Sequence, residues 1–86
     1  MEQHLRHLLD ELKGAIGRTR KPQDREELTR LHGEVESRLE AGDTDDDDHR
    51  SLVARLEKAE IRFESDHPSL GASIRQAVQS LTATGI

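Results

Sequence analysis

The fold of this chain is decided by residues 28–63, which read LTRLHGEVESRLEAGDTDDDDHRSLVARLEKAEIRF. Within this stretch, apolar residues recur every three or four positions on each side of an acidic segment. They are Leu28, Leu31, Val35 and Leu39 on the N-terminal side, and Leu52, Leu56, Ala59 and Phe63 on the C-terminal side. Side chains at this spacing lie along one face of an α-helix. The stretch therefore predicts an antiparallel hairpin of two helices whose apolar stripes pack against each other.

Capping signals place these two central helices at about residues 24–41 and 47–65. Asp24 and Glu27 fit a capping box, in which the Asp carboxylate accepts a hydrogen bond from an early backbone N–H and Glu27 reaches back. The Asp-rich segment 43–48 makes the turn, and it also supplies acceptors and negative charge for the N-terminus of the next helix. The hairpin thus has a defined start and a defined turn.

Two flanking helices are predicted at about residues 2–16 and 68–84. The first carries an apolar face of Leu and Ile residues, and the second begins at Pro68, which suits the first position of a helix. Together the four segments predict an all-α fold, a small coiled-coil-like helical bundle that forms one domain over residues 1–86.

The small number of large apolar residues favours an oligomer. Only 19 of the 86 residues are Leu, Ile, Val or Phe, so a monomer buries little apolar surface for its length. Self-association is the most direct further source of burial, and we expect a homodimer or a larger homo-oligomer. We assign its interface to apolar positions on the far side of the third helix and along the fourth. They are Val53, Ile61, Leu70, Ile74, Val78 and Leu81.

The net charge of −5 comes from one segment rather than from the whole chain. Six acidic residues and no Lys or Arg lie between Leu39 and His49, and the rest of the chain is close to neutral. The densest basic segment, residues 18–25, lacks aromatic residues for base stacking, so we expect no nucleic-acid binding. No apolar run approaches the ~18 residues of a membrane span, and the N-terminus lacks the layout of a signal peptide. A cytoplasmic protein without a membrane partner is expected.

The Asp run begins like a calcium-binding loop. When Asp43 is placed at position one, the Gly that the loop requires is replaced by Asp48, and the bidentate Glu is replaced by Ala54. The pattern therefore fails at both of its most constrained positions, and an acidic cap of the next helix explains the run better.

A second group of candidate metal ligands lies near the N-terminus. His4, His7 and Glu11 share one flank of the first helix, one turn apart. Imidazoles and a carboxylate are ligands for zinc and other transition metals. Polar residues that border an apolar face give the same pattern without a metal, so no cofactor is expected.

Catalytic patterns are not evident in the sequence. Glu64 and His67 have the Glu-x-x-His spacing of di-iron bundles, but such a site needs two copies and the chain has one. His67 is better explained as a helix cap before Pro68. The chain also has no cysteine and no Gly-rich phosphate-binding loop. These observations favour a protein that is not an enzyme.

The first interpretation is therefore a non-catalytic, self-associating helical module that acts through protein contacts. One alternative is a metal-binding protein that uses His4, His7 and Glu11. The other is a protein whose acidic loop binds basic partners, which would show binding that weakens steeply with salt.

Four features follow one another along most of the chain. They are an N-terminal His- and Leu-rich helix, an acid-flanked helical hairpin, the segment Phe63-Glu64-x-x-His67-Pro68, and a Leu-rich end that closes with Gly85-Ile86. In this order they resemble a family of short, acidic bacterial proteins that is classed as a domain of unknown function. The resemblance supports the helix boundaries given above and implies no activity, cofactor or partner.

Overall fold

Four α-helices make up the computed structural model, which describes residues 2–41 and 46–83. In chain order they are α1 (Glu2–Arg18), α2 (Pro22–Ala41), α3 (Asp46–Phe63) and α4 (Pro68–Ala83). No strand occurs within these two ranges. The all-α prediction is confirmed for the described residues, and each predicted helix boundary there lies within two residues of the observed one.

Some of the predicted features fall outside the described residues. These are residues 42–45, in the middle of the acidic segment, and residues 84–86, which include Gly85-Ile86. The comparison of the Asp run with a calcium loop depends on Asp43 and therefore stays a prediction from the sequence.

Backbone hydrogen bonds set the point at which α2 begins. The N–H of Arg25 donates to the carbonyl oxygen of Lys21 at 3.0 Å, which is the first bond of the helix. Pro22 therefore occupies the first helical position, where its missing N–H leaves no partner unsatisfied. A side-chain N–H of Arg25 also donates to the carbonyl oxygen of Thr19 at 3.2 Å, which ties the helix to the preceding turn.

This start corrects the predicted capping box. Asp24 lies inside the first turn of α2, two residues after Pro22, so it does not occupy the capping position. Its carboxylate instead binds Arg62 of α3, and Glu27 binds the same guanidinium. The sequence pattern of a capping box was present, but a cation from a distant part of the chain provides a better partner for both carboxylates.

The apolar stripes of all four helices meet in one core. Their most buried members are Leu5, Leu8, Leu12 and Ala15 of α1, Leu28, Leu31 and Val35 of α2, Leu52, Leu56, Ala59 and Phe63 of α3, and Leu70, Ile74, Ala77 and Leu81 of α4. The predicted stripes of the central helices are thus confirmed as buried surfaces, apart from Leu39, which is half-buried and packs against the core.

The helices do not pair as the sequence suggested. The close pairs are α1 with α2, α3 with α4, and α1 with α4, whereas α2 and α3 make the fewest contacts of the four neighbouring pairs. The helices α2 and α3 are antiparallel, because Asp24 at the start of α2 contacts Arg62 at the end of α3. Their stripes, however, face the shared core rather than zip together. A stripe identifies the side that is buried, and it does not identify the neighbour that buries it.

A glycine permits the tight contact between α3 and α4. A Cβ added to Gly71 would lie 3.1 Å from the Cα of Glu64, which is closer than side chains normally approach a backbone atom. Glycine at this position therefore lets the first turns of α4 lie directly against the end of α3. The N–H of Gly71 also donates to the carbonyl oxygen of His67 at 3.0 Å, so the predicted capping position of His67 is confirmed.

Candidate functional site

An open groove runs along the side of the bundle where α2 and α3 make few contacts. We call it the α2–α3 groove and define it by the residues that line it, which lie between residues 27 and 41 on α2 and between residues 48 and 63 on α3. It consists of two adjoining hollows that share Arg30, Glu34 and Arg55. Both hollows lie between α2 and α3, the neighbouring helices that make the fewest contacts among the described residues.

The floor of the groove is the least covered part of the core. Leu31 and Leu52 are each 6% exposed and Ala59 is 8% exposed, the highest values among the buried apolar residues. Core residues such as Leu8 and Ile74, on the other sides of the bundle, are fully buried. A ligand laid in the groove would therefore contact apolar surface at its centre.

Ion pairs, rather than apolar contacts, connect the two walls. Arg55 of α3 forms an ion pair with Glu34 of α2. At the other end, one guanidinium nitrogen of Arg62 donates to Asp24 at 3.0 Å, and another lies 3.2 Å from a carboxylate oxygen of Glu27. The hydrogen bond to Glu34 raises the pKa of Arg55, and the hydrogen bond to Asp24 raises the pKa of Arg62. These arginines therefore remain charged, and their ion pairs bridge α2 and α3.

The groove carries an excess of positive charge. Five basic and three acidic residues line it, although the whole chain has a net charge of −5. The acidic residues are engaged: Glu27 and Glu34 are in ion pairs, and Asp48 also has an interaction partner. In contrast, no other described residue pairs with Arg30 on the α2 wall or with Lys58 on the α3 wall.

Two further residues shape the edges of the groove. Gly33 lies inside α2, and no heavy atom within 4 Å would meet a Cβ added there, so the α2 wall has a notch at this position. Ile61 lies on the α3 side of the groove and is a large apolar residue that is 80% exposed, unlike the other large apolar residues that the structure describes. The groove thus combines an apolar floor, an exposed apolar edge, a notch and two cations that have no partner among the described residues.

The side between α3 and α4 also contains polar contacts, but these reinforce tight packing. Arg75 of α4 donates to Glu60 of α3 at 2.9 Å and lies 3.8 Å from Glu64. The hydrogen bond to Glu60 raises the pKa of Arg75. At the opposite end, Nε2 of His49 lies 3.1 Å from the carbonyl oxygen of Leu81.

The candidate metal ligands are not brought together with any further ligand from the part of the chain that the structure describes. His4 and His7 are exposed on α1, and Glu11 is half-buried on the same helix. Within residues 2–41 and 46–83, no group of three His, Cys, Asp or Glu side chains is arranged to hold a metal ion. The metal-binding alternative is therefore not favoured.

The residues assigned to a subunit interface fall into three groups. Leu70, Ile74 and Leu81 are fully buried in the core of one chain, where α1 and α3 are the neighbours of α4. Val53 and Val78 are half-buried and pack against the same core. Only Ile61 is exposed. A second subunit is therefore not needed to bury Leu70, Ile74 and Leu81, because α1 and α3 of the same chain supply the contact. The assignment of Val53, Val78 and Ile61 to a subunit interface stays a prediction.

Sequence reasoning missed the residues that give the groove its character. Arg30 and Lys58 look like ordinary surface charges until α2 and α3 are known to lie side by side with their acids engaged. Gly33 gave a signal, because a glycine inside a helix of 20 residues is unfavourable by about 1 kcal/mol relative to Ala and calls for a reason.

None of the described helices is both long enough and apolar enough to span a membrane.

Comparisons with known proteins identify the family but add no activity. No curated protein and no solved structure matches the chain. The model of the family described as "Domain of unknown function (DUF4404)" matches residues 2–86. Because this match covers nearly the whole sequence, the chain belongs to that family of helical domains of unknown function.

Proposed function

We propose that the protein is a non-catalytic helical interaction module of the cytoplasm that binds another protein chain along the α2–α3 groove. The observation that carries this proposal is the groove itself. Three neighbouring pairs of helices are tightly packed, and the fourth pair leaves an elongated hollow with an apolar floor. A groove between two antiparallel helices matches the shape of a third helix, which is a common way in which helical proteins bind their partners.

The polar groups of the groove support a binding role rather than a catalytic one. Arg55 and Arg62 have raised pKa values because they are hydrogen-bonded to carboxylates, and a guanidinium of this kind exchanges no proton near neutral pH. Groups of this type position and attract a partner, whereas general acid–base catalysis needs a side chain that titrates near the working pH.

A second copy of the chain is one partner that this proposal includes. Ile61 is the predicted interface residue that stays 80% exposed, and its position at the edge of the groove gives self-association a place to occur. A homo-oligomer formed through this edge would bury the side chain that one chain alone leaves in water.

Site-specific photocrosslinking tests the proposal in cells that naturally make the protein. A photoreactive residue in place of Ile61 should give a covalent adduct to a protein, because that position borders the groove. The matched control carries the same residue in place of Gln76, which is exposed on α4, a helix that does not contact α2.

The adduct mass distinguishes the partners. An adduct of twice the 9.7 kDa chain mass indicates self-association, and any other mass indicates a different protein. Adducts of equal yield at both positions, or no protein adduct at Ile61, would contradict a role for this surface in protein binding.

A further inference from the structure

We infer that the groove binds an amphipathic helix of another protein whose apolar stripe is flanked by acidic residues. This inference rests on the proposed function and adds the chemistry of the partner. It follows from three features of the groove that act together: its dimensions, the placement of its unpaired charges and the notch at Gly33.

The dimensions fit a helix of a few turns. The α2 wall extends over residues 27–41, which at 1.5 Å per residue corresponds to roughly 20 Å of helix. Apolar side chains that recur every three or four positions along a docked helix would face the floor, where Leu31, Leu52 and Ala59 retain exposed surface. Ile61 extends the apolar contact at one edge.

The charges select an acidic partner. Arg30 and Lys58 lie on opposite walls and have no partner among the described residues, so each can pair with a carboxylate on one flank of a docked helix. The acids of the groove are already engaged by Arg55, Arg62 and other groups. A helix with basic flanks would face five basic residues and find no free acid on the walls.

The same charges argue against a second copy lying along the groove. Two identical chains pack face to face about a two-fold axis, and residues close to that axis meet their own copies. Arg30 and Lys58 line the same hollow, and five basic residues against three acidic ones line the groove as a whole. A face-to-face dimer would bring two surfaces with the same excess of basic residues together, and like charges at close range oppose association.

The notch at Gly33 provides a position for one large side chain of the partner. Glycine is the least favourable residue in a helix interior apart from proline, and the described part of the chain does not use the space that it leaves. A Leu or similar side chain of the docked helix can enter this notch from outside, beside the unpaired Arg30.

Binding of designed peptides to the full chain tests the inference. Two fluorescent helical peptides share the same stripe of Leu residues and differ only in their flanks, which carry Glu in one and Lys in the other. We expect the Glu-flanked peptide to bind roughly tenfold more tightly at low salt, with the preference decreasing at high salt. The variant Arg30→Glu/Lys58→Glu should reverse the preference, because it reverses both free charges.

A glycine variant separates binding from folding. Gly33→Leu fills the notch in a helix that tolerates Leu well, so it should keep the helical circular dichroism of the parent, have a melting midpoint at least as high, and lose most of its affinity for the Glu-flanked peptide. Gly17→Leu is the matched control, because that glycine also has open space around it but lies at the end of α1.

The outcomes that overturn the inference are distinct from those that overturn the proposed function. Equal affinity for both peptides, no measurable affinity for either, or unchanged affinity in Gly33→Leu would refute an acidic helix as the occupant. A protein that dimerises by itself in light scattering, and that Gly33→Leu converts to monomer, would assign the groove to a second copy instead. Both results are compatible with photocrosslinks at Ile61, on which the proposed function depends.

Discussion

The α3–α4 side and the α2–α3 side of the bundle show two ways of placing helices next to each other. On the first, Gly71 lets the helix backbones approach closely, and Ile74 and Leu81 of α4 are fully buried. On the second, the walls are joined by the ion pairs of Arg55 and Arg62, and the core beneath retains exposed surface. Because tight apolar packing is strong and surface ion pairs are weak, stability should reside mainly on the first side, and a binding surface is available on the second.

Among the changes that test this comparison, removal of α4 should lower the stability of the fold most. Deletion of residues 68–86 exposes the surfaces of α1 and α3 that Leu70, Ile74 and Leu81 cover. We expect the truncated chain to lose most of its helical circular dichroism at room temperature, because three helices with an uncovered core cannot offset the entropy of ordering the chain. A truncated chain that keeps its helical signal and its melting midpoint would show that the α3–α4 side is not the stable one.

A charge placed in the core should have the next largest effect. Leu56 of α3 is fully buried in the core that all four helices share, so Leu56→Asp removes apolar contacts and buries an unpaired carboxylate. We expect the free energy of unfolding to fall by more than about 4 kcal/mol. Ile61→Asp is the control on the same helix. Since Ile61 is 80% exposed, the free energy of unfolding of that variant, measured in urea, should lie within about 0.5 kcal/mol of the parent value. Similar losses in the two variants would contradict the assignment of the stripe on α3.

Two glycine substitutions test the packing on each side directly. In Gly71→Ala the new methyl group would lie 3.1 Å from the Cα of Glu64, so the backbone there must shift, and we expect a loss of about 1–2 kcal/mol despite the better helix propensity of Ala. In Gly33→Ala the methyl group enters open space, and the same propensity should give a gain of about 0.5–1 kcal/mol. Urea denaturation of both variants measures the contrast, and effects of the same sign would refute it.

Removal of single carboxylates across the groove should have the smallest effects. Asp24→Asn and Glu34→Gln each weaken an ion pair between α2 and α3, and we expect the melting midpoint to fall more for Asp24, whose side chain is 13% exposed, than for Glu34, at 24%. Added salt should diminish the difference between Glu34→Gln and the parent. Glu26→Gln, at an exposed position outside the groove, is the control and should leave the midpoint unchanged.

Local features of the fold could be predicted from the sequence because their causes are local. The stripe from Leu28 to Val35 and the position of Pro68 depend on residues within one or two turns, so the helices and their buried faces were correct. The capping role of Asp24 was wrong because its actual partner, Arg62, lies 38 residues away in the sequence. Local patterns do not contain that kind of information.

The groove could not be predicted, because it depends on which helices become neighbours. The apolar positions of α4 look the same whether they are covered by another subunit or by α1 and α3, and Leu70 and Ile74 were therefore assigned to a subunit interface. Likewise, Lys58 becomes a candidate for binding only when it is known to lie across a gap from α2 and the nearby acids are known to be engaged. Neither fact follows from the spacing of residues along one helix.

The distribution of contacts also has a mechanical consequence. The chain consists of two helical hairpins, α1–α2 and α3–α4, and the tight contact between them is that of α1 with α4. The contact of α1 with α4 is therefore the axis about which the two hairpins can rotate, and the groove lies on the opposite side of the bundle. A rotation about the α1–α4 contact would change the width of the groove and leave the packing inside each hairpin intact. The ion pairs Arg55–Glu34 and Arg62–Asp24 would limit this rotation, because they join α2 to α3. Apolar packing restrains the width of the groove less than it restrains the distances between the other neighbouring helices.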